Sequence, residues 1–379
     1  MEMEKFNGKA GRFEKWVMHG TEIHSYVPNE LPSEIKFDNG LINSLSRATY
    51  KIGELSGMGL RLPDPNLLII PYVKREALMS SRIEGTKMTV SEMYKSEAEE
   101  KTEDMDSTEV RNYVSALKQA LESKEEKITL ETLKKMHAIL MSGGVRGHEK
   151  NPGEFRKIQN FISLTNRIGE ASYIPPPPHM VPDLMKSLEN YVNSENATPL
   201  IQVALAHYQF ETIHPFCDGN GRIGRTLVTL MLCKKNVLSQ PLLYLSAYFE
   251  KFRKEYENLL LKVNQEGCYE EWVRFFLSGV ESQSEDAIQR TKRLFGIRDE
   301  YIKKLREQPK AGRAAGLIDQ LFYNPFINIP GVAKNLAVTY PTAKKITEQF
   351  LRAGILVEAD KKQRNKLYCA EEILRELET

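Results

Sequence analysis

Residues 214–225 read HPFCDGNGRIGR and place several chemically active side chains within one short stretch. His214 carries an imidazole that can accept a proton near neutral pH. Asp218 offers carboxylate oxygens, which together with phosphates often hold Mg²⁺. Arg222 and Arg225 carry guanidinium groups, which bind phosphate oxygens in bidentate fashion. These residue types together predict a site for a polyphosphate, a metal ion and a general base.

The sequence on either side of this stretch predicts how it is held. Residues 200–213 (LIQVALAHYQFETI) and 222–235 (RIGRTLVTLMLCKK) each show apolar side chains at helical spacing. We therefore expect a loop between two amphipathic helices, with its glycines just before the second helix. The N-terminus of a helix presents free N–H groups to an anion. Gly219 and Gly221 allow the backbone to curl around phosphate, and Asn220 can add a neutral donor.

Two known phosphate-binding patterns are excluded. No Gly-Lys-Ser/Thr follows the glycines, so the loop is not a Walker A loop, and the segment before it is helical rather than a strand. The simpler interpretation is a structural helix–loop–helix whose arginines pair with acidic residues. Convergence of so many functional residue types within twelve positions favours a reactive site.

The stretch resembles the signature of the Fic family, HPFx[DE]GNGRxxR, at every specified position, with Cys217 at an unspecified one. The resemblance covers roughly residues 50–280. It implies Mg²⁺-dependent transfer of AMP from ATP to a hydroxyl side chain (Ser, Thr or Tyr) of a target protein, with release of pyrophosphate. It also implies that His214 is the general base and Asp218 the Mg²⁺ ligand. The ATP-binding and phosphate-binding residues that it implies are Asp218, Gly219, Asn220, Gly221, Arg222, Ile223, Gly224 and Arg225.

A second stretch, SSRIEG at residues 80–85, fits the inhibitory pattern [ST]xxxE[GN] of that family through Ser80, Glu84 and Gly85. The resemblance pairs Glu84 with Arg225. A carboxylate there would neutralise a cation meant for the nucleotide and misplace the phosphates for in-line attack. The alternative is an ordinary helical glutamate on a solvated face. A glutamate at this position also supports removal of AMP in some similar proteins.

Two further segments are expected around the nucleotide. Residues 158–174 predict a β-hairpin that resembles the family's flap, with Asn160, Phe161 and Ile162 near the nucleotide and the target segment docked by strand addition. Tyr256 and Asn264 lie eight residues apart, about two helical turns, and so share one helix face. An aromatic ring and an amide there would suit adenine, although core packing of Tyr256 is an almost equal alternative.

The rest of the chain predicts a mainly α fold: a Fic-type helical bundle with a β-hairpin flap, followed by a small winged-helix (α+β) domain. The expected divisions are 1–106, an N-terminal region that carries the inhibitory helix; 107–305, the catalytic domain; and 306–379, the winged helix. Residues 1 to roughly 40 are expected to form an extended arm. The winged helix is predicted by three short helices followed by two strands around a charged turn. Its basic residues are Lys344, Lys345, Arg352, Lys361, Lys362, Arg364 and Lys366.

Composition limits the remaining choices. The net charge is +2 over 379 residues, so nothing pulls the whole protein toward nucleic acid or membrane. The four cysteines (Cys217, Cys233, Cys268 and Cys369) form no CxxC pair, which argues against a zinc site and is typical of the cytoplasm. No signal-peptide core and no apolar run of about 18 residues is present, so no membrane contact is expected.

The sequence leaves three functions to be distinguished. The first is a protein adenylyltransferase held off by Glu84. The second is a related enzyme that removes AMP or transfers another phosphoryl-containing group. The third is a DNA-binding regulator whose nucleotide site only senses. A homodimer, and contact of the winged helix with DNA or protein, are left open.

Overall fold

The computed structural model describes residues 2–18, 20–32, 34–61, 64–99, 105–163, 167–195, 197–306, 315–360 and 366–378. Most of this chain is helical, as the sequence predicts. In chain order the helices α1 to α15 are Asn39–Gly59, Asn66–Ile83, Val90–Ala98, Met105–Glu122, Leu130–Leu140, Val181–Val192, Pro199–Ile213, Asn220–Lys234, Ser246–Lys251, Arg253–Glu266, Tyr269–Arg306, Ala315–Tyr323, Ile329–Asn335, Tyr340–Arg352 and Glu371–Glu378. The strands β1 to β5 are Gly11–Met18, Thr21–Pro28, Phe326–Asn328, Val357–Glu358 and Leu367–Cys369.

Helices α7 and α8 form the centre of the bundle and pack directly against each other. Almost every residue of α7 is buried, including His207 and Gln209, and α8 is buried over most of its length. The two helices lie where the sequence predicts them, but the prediction that they are amphipathic was wrong, because both are buried. Each helix is covered on all sides: α6, α10 and α11 pack on α7, and α2, α4 and α5 pack on α8. A loop between two such central helices is held from both ends.

Local sequence fixes the ends of the surrounding helices. Asp38 begins α1 by accepting a hydrogen bond from the backbone N–H of Leu41. Thr89 and Glu92 form a reciprocal capping box at the start of α3. Gly267 ends α10 in the left-handed conformation that a residue without a Cβ adopts at little cost. These caps support elements whose apolar faces join one continuous core.

The N-terminal region contains a β-hairpin, so the prediction of an extended arm was wrong. Strands β1 and β2 pair in antiparallel register from Gly11 opposite Pro28 to Met18 opposite Thr21. The connection has two residues, and Gly20 within it has a φ of 78°, as tight hairpins require. That short turn lies between two segments rich in aromatic and β-branched residues, and this was the sequence signal that the arm interpretation overlooked.

The hairpin packs next to the predicted flap. The backbone N–H of Tyr26 donates to the carbonyl of Ile174 at 2.9 Å. A small apolar cluster also joins the two segments through Ile23, Ala171 and Ile174. The flap itself pairs less than predicted, with one isolated bridge between Ile162 and Tyr173. The four prolines that follow Ile174 lack N–H groups, so they cannot extend the ladder. Residues 164–166 of the expected turn lie outside the described residues.

The C-terminal unit has the element order expected for a winged helix. Helices α12, α13 and α14 are followed by β4 and β5, and the short strand β3 completes a sheet with the order β3-β5-β4. Strand β3 and the terminal helix α15 were not predicted. Lys74 of α2 donates to the carbonyl of Tyr323 at 3.0 Å, and α15 contacts α2, α3 and α11. The unit therefore rests on α2 and α3. Residues 361–365 of the charged turn lie outside the described residues.

Within the described ranges, none of the helices combines the length and the apolar character needed to cross a bilayer.

We predict that Tyr26→Ala destabilises the protein by about 3–5 kcal/mol, the usual cost of truncating a buried aromatic ring. Tyr26 is 1% exposed, its ring contacts Phe6, Phe13 and Tyr173, and its hydroxyl donates to the carbonyl of Asn264. Urea unfolding measures the change. Val17→Ala is the control, because Val17 lies on the same hairpin but is 66% exposed. Equal effects of the two substitutions would mean that the hairpin does not pack as described.

Candidate active site

A pocket of about 640 Å³ opens between the α7–α8 loop, the end of α2, the flap and α10. It brings together most of the residues that the sequence singled out. The lining includes Glu84, Ile162, Glu211, His214, Cys217, Asp218, Gly219, Asn220, Gly221, Arg225, Tyr256 and Asn264.

His214 ends helix α7 in the left-handed region, with φ 51° and ψ 60°. This unusual backbone turns the imidazole into the pocket, and the ring Nδ1 lies 3.3 Å from the carbonyl oxygen of Glu211. Burial, reinforced by the nearby Arg156, lowers the pKa of His214 to about 4. The imidazole is therefore neutral at physiological pH and free to accept a proton.

Arg156 was missed as a site residue, although it lies in the PGEFR stretch before the flap. It is buried, and its Nε donates to the carbonyl of His214 at 2.9 Å. Its Nη2 donates to the carbonyls of Pro176 and Ile213. A cation at the C-terminal end of α7 satisfies carbonyl groups that have no partner within the helix. Arg156 thus fixes the turn on which His214 sits.

The loop between the two helices is closed by Asn220. Its Oδ1 accepts from the N–H of Phe216 and its Nδ2 donates to the carbonyl of the same residue, both at 2.8 Å. Asn160 of the flap donates to that carbonyl as well, at 3.0 Å. The expected place of Asn220 in the phosphate site and of Asn160 near the nucleotide stays a prediction. Both side chains are used to shape the loop.

His137 of α5 supports the loop from below and was also missed. Its ring stacks on Phe216 at a centroid distance of 3.9 Å. Its Nδ1 accepts from the N–H of Gly153 at 2.8 Å, which leaves Nε2 to donate to the carbonyl of Asp218 at 3.0 Å. Burial lowers the pKa of His137 to about 4, in agreement with this neutral tautomer. No local motif marks His137, because its partners lie far away in sequence.

Two glycines at the start of α8 are required by close approach. A Cβ on Gly221 would collide with Glu84 Oε1, and a Cβ on Gly224 would collide with Glu211 Oε1. Both carboxylates therefore reach the backbone of the helix only because glycine is present there. The first turn of α8 consequently faces two acidic side chains in this state, although its N–H groups and dipole favour an anion.

Arg225 is buried in a set of hydrogen bonds that belongs to the end of α2. Its Nε donates to Ser80 Oγ at 2.8 Å, and its Nη2 donates to the carbonyl of Ser80 at 3.0 Å. The same Nη2 forms an ion pair with Glu84 Oε1 at 2.8 Å. The structure thus brings together the two side chains that the sequence pairs. Gly85 follows with a φ of 100° and leads the chain away from the helix.

Opposing influences set the ionisation of Glu84. Burial alone would raise the pKa of this carboxyl group, but the adjacent Arg225 outweighs burial and holds the pKa below its ordinary value. Glu84 is therefore an anion at neutral pH. It gives the buried guanidinium of Arg225 a negatively charged partner.

Asp218 lies at the rim of the pocket with one carboxylate oxygen facing a lysine. Its Oδ2 is 3.1 Å from Lys150 Nζ, and its Oδ1 accepts from the N–H of Gly219 at 2.7 Å. Among the described residues no group of three or more His, Cys, Asp or Glu side chains could hold a metal ion. A single carboxylate fits Mg²⁺ when phosphates and water complete its oxygen shell. The donor set therefore fits a metal that binds together with a nucleotide.

The residues expected at the adenine side lie at the pocket wall but have protein partners. Tyr256 is 4% exposed, stacks on Phe249 and shares a hydrogen bond between its hydroxyl and His207 Nε2. The alternative of core packing describes its side chain better than free stacking. Asn264 Oδ1 accepts from Tyr208 at 2.6 Å. This bond orients the amide so that the oxygen is committed to the protein.

The flap residues divide between core and surface. Phe161 packs on the small cluster that joins the flap to the N-terminal hairpin. Ile162 is 45% exposed and lines the pocket. Of the three flap residues named from the sequence, Ile162 is thus the one that lines the pocket.

Comparison with known proteins relates this chain to a protein family. The model for the N-terminal region of the Fic/DOC family matches residues 42–122, and the model for the Fic/DOC family itself matches residues 127–232. The second match contains α7, the whole α7–α8 loop and α8 as far as Leu232.

The chain belongs to the Fic/DOC family.

Relatives of this Fic/DOC chain include curated enzymes. A probable protein adenylyltransferase of Aquifex aeolicus is 27% identical over 200 residues, covering 51% of this chain and 58% of the relative. A protein adenylyltransferase Fic of Drosophila grimshawi is 31% identical over 153 residues, covering 39% of this chain and 28% of the relative. The chain therefore matches little more than half of the first relative and under a third of the second.

A solved Fic family protein from Desulfovibrio desulfuricans G20 has the same fold. The TM-score is 0.56 at 22% identity, and the superposition covers 89% of this chain and 97% of the other. This coverage extends the likeness in fold beyond the residues that the two family models match. The mainly helical Fic architecture that the sequence predicts is thereby confirmed.

Glu211 is an acidic side chain of the Fic/DOC pocket that sequence reasoning did not select. Its Oε1 is buried without a hydrogen-bond partner among the described residues. Burial raises the pKa of Glu211 to about 7, against the opposing influence of Arg225. The position three residues before His214 was the available signal, since that spacing places both at the last turn of one helix.

We predict that Glu211→Gln stabilises the protein relative to wild type as the pH rises. The raised pKa means that folding favours the protonated form, so wild-type stability falls between about pH 4.5 and about pH 7, as Glu211 ionises. Glutamine does not ionise and avoids this loss, which we expect to be about 3 kcal/mol at pH 8 and near zero at pH 4.5. Thermal unfolding at both pH values measures it. A gain that does not depend on pH would contradict the raised pKa, and Glu122→Gln on exposed α4 surface is the control.

Proposed function

We propose that the protein transfers AMP from ATP to a hydroxyl side chain of a target protein, with release of pyrophosphate, and that Glu84 holds this activity off. The contact of Glu84 with Arg225 at the start of α8 carries the proposal. The carboxylate of Glu84 binds the guanidinium group of Arg225, which the family signature assigns to phosphate. The curated relatives that bear the name protein adenylyltransferase support the same activity.

The phosphates are proposed to lie at the first turn of α8. The backbone N–H groups of that turn, the helix dipole and two buried arginines are all suited to a polyanion. Arg222 is 3% exposed, and its Nε and Nη1 have no hydrogen-bond partner among the described residues. Buried donors without partners are rare in folded proteins unless a ligand completes them.

His214 is proposed to act as the general base. Its neutral imidazole accepts the proton of the target hydroxyl, whose oxygen attacks the α-phosphorus. The bond from that phosphorus to the oxygen that bridges it to the β-phosphate breaks, and pyrophosphate leaves. The proton stays on His214 until solvent removes it. Arg156 fixes the backbone of His214, and the carbonyl of Glu211 orients its imidazole.

Asp218 would hold Mg²⁺ together with the phosphates, and the metal would neutralise charge that develops on the leaving group. The protein contributes a carboxylate already fixed by the N–H of Gly219. The ammonium group of Lys150 must move away from Asp218 Oδ2 before Mg²⁺ can bind that oxygen, because the two cations would repel each other. Its side chain is about half exposed, so this displacement costs little.

The target is proposed to bind along the flap. Ile162 presents an exposed apolar side chain beside His214 in the pocket lining. The sparse pairing of the flap leaves backbone groups available for strand addition. A target segment aligned in this way would bring one hydroxyl group to the imidazole.

The surroundings of the enzyme are also proposals. All four cysteines carry free thiols, which fits a reducing cytoplasm. In the C-terminal unit, Lys344 pairs with Glu348 and Lys366 pairs with Glu358. These acidic partners reduce the positive charge offered to DNA phosphates, so we favour a protein partner for this unit. A homodimer stays open.

We predict that Glu84→Gly increases AMP transfer by about tenfold or more, because release of Arg225 restores one charge-assisted phosphate contact. Wild type and variant are incubated with Mg²⁺ and ATP labelled at the α-phosphate, and label on protein is measured. Glu126→Gly, on the exposed α4–α5 loop, is the control. Equal labelling of wild type and Glu84→Gly would refute the inhibitory role.

The same assay distinguishes the other activities. Transfer from γ-labelled ATP without α-label would identify a kinase-like enzyme instead. If neither label is transferred to added candidate proteins or to the enzyme itself, pre-adenylylated protein tests for AMP removal.

We predict that His214→Ala in the Glu84→Gly background lowers AMP transfer by about a hundredfold or more, the usual contribution of a general base. ATP binding, measured by calorimetry, should change little because the imidazole contacts the attacking group rather than the phosphates. His179→Ala replaces an exposed histidine outside the pocket and serves as the control. Undiminished labelling in His214→Ala would rule out this mechanism.

A further inference from the structure

Glu109 is a buried acidic residue of α4 that has no role in the steps of the proposed reaction. It is 2% exposed and lies among three groups from distant parts of the chain. Its Oε2 accepts from the hydroxyl of Thr86 at 3.3 Å and lies 3.6 Å from Arg222 Nη1. Its Oε1 accepts from Nε of Arg146 at 3.3 Å. One carboxylate thus faces two guanidinium groups.

Arg222 lies between two carboxylates at nearly equal distances. Its Nη1 is 3.6 Å from Glu109 Oε2, and its Nη2 is 3.7 Å from Asp218 Oδ1. Both separations exceed a good hydrogen bond. The only hydrogen bond recorded from this guanidinium within the described residues is a weak one to the sulfur of Met141. Its position is therefore set by the balance of two charges rather than by directed bonds.

The two carboxylates differ in how strongly they can hold Arg222. The side chain of Glu109 is 2% exposed, whereas that of Asp218 is 34% exposed. Water screens the attraction of Asp218 more than that of Glu109. Glu109 is also fixed from behind by Thr86 and Arg146, so it does not move toward the arginine.

We propose that Glu109 is a positioning residue, whose buried carboxylate holds Arg222 at the phosphate site and keeps it from closing onto Asp218. This role rests on the proposed function, because it matters only if Asp218 receives a metal with the nucleotide. Without Glu109, Arg222 has one acidic partner left. It then pairs with the carboxylate oxygens that the metal needs.

The same carboxylate connects Arg222 to the inhibitory segment. Thr86, which bonds Glu109, lies two residues after Glu84, and Arg146 donates to the Thr86 hydroxyl at 2.9 Å. Arg225 is held by Ser80 and Glu84, while Arg222 is held through Thr86 and Glu109. Residues 80–86 therefore contact Arg225 directly and reach Arg222 through Glu109.

Mn²⁺ binding tests the role of Glu109 without requiring AMP transfer. The Mn²⁺ affinity is measured by electron paramagnetic resonance in the presence of β,γ-imido-ATP, with Glu84→Gly as the background so that Arg225 is available. We expect Glu109→Gln to weaken Mn²⁺ binding about tenfold, as loss of a residue that supports a metal ligand usually does. Glu122→Gln, the same change on an exposed site of the same helix, should stay within about twofold.

Conservative replacement separates positioning from mere structural support. Glu109→Asp keeps the charge but withdraws it by one methylene, so its Mn²⁺ affinity should lie between those of Glu84→Gly alone and Glu109→Gln. A lower melting temperature with unchanged Mn²⁺ affinity in Glu109→Gln would overturn the proposal. If Glu109→Gln does not fold, Glu109→Asp with an unaltered affinity overturns it instead.

Failure of the broader function would look different. Normal Mn²⁺ binding in the Glu84→Gly background without any transfer of α-label would refute AMP transfer and leave the positioning role measurable. Absence of Mn²⁺ binding in that background would refute both.

Discussion

The buried guanidinium group of Arg225 requires a negatively charged partner, and the arrangement of the pocket depends on this requirement. Arg225 lies inside the helical bundle, where an isolated charge is unfavourable by several kcal/mol. Glu84 and Ser80 meet that need in the present state, and the phosphates of a nucleotide would meet it in the proposed active state. Because both partners would satisfy the same guanidinium, the contact with Glu84 and the proposed contact with phosphate exclude each other at this one side chain. Helix α2 is thereby tied to the site through its final turn.

The α7–α8 loop shows how polar groups remain fixed in such a core. Asn220 and Asn160 close the loop on the carbonyl of Phe216, and His137 supports the carbonyl of Asp218. Arg156 caps the end of α7 beneath His214. The backbone at His214 and at Asp218 is therefore fixed by neighbouring side chains. In the proposed reaction this preorganisation would let a base and a phosphate site act together.

The sequence motifs led to residues that line the pocket but not to the residues that support them. The contact between Glu84 and Arg225, which the family resemblance implies, is present in the structure, while the chemical roles of His214 and Arg225 stay predictions. Glu109, His137 and Glu211 were missed because their significance depends on contacts between distant segments. The central helices were mistaken for amphipathic ones, since dense apolar sequence does not reveal how many sides are covered. The N-terminal hairpin was missed because a two-residue turn leaves a faint signal.

The C-terminal unit rests on α2, the helix that Glu84 directly follows. Lys74 of α2 bonds the carbonyl of Tyr323, and α12 and α15 both contact α2. Thermodynamic linkage makes such a contact reciprocal. If occupation of the nucleotide pocket shifts α2, the surface beneath the C-terminal unit shifts with it. Nucleotide binding would then change the free energy with which that unit binds a partner. The partner would change the free energy of nucleotide binding by the same amount.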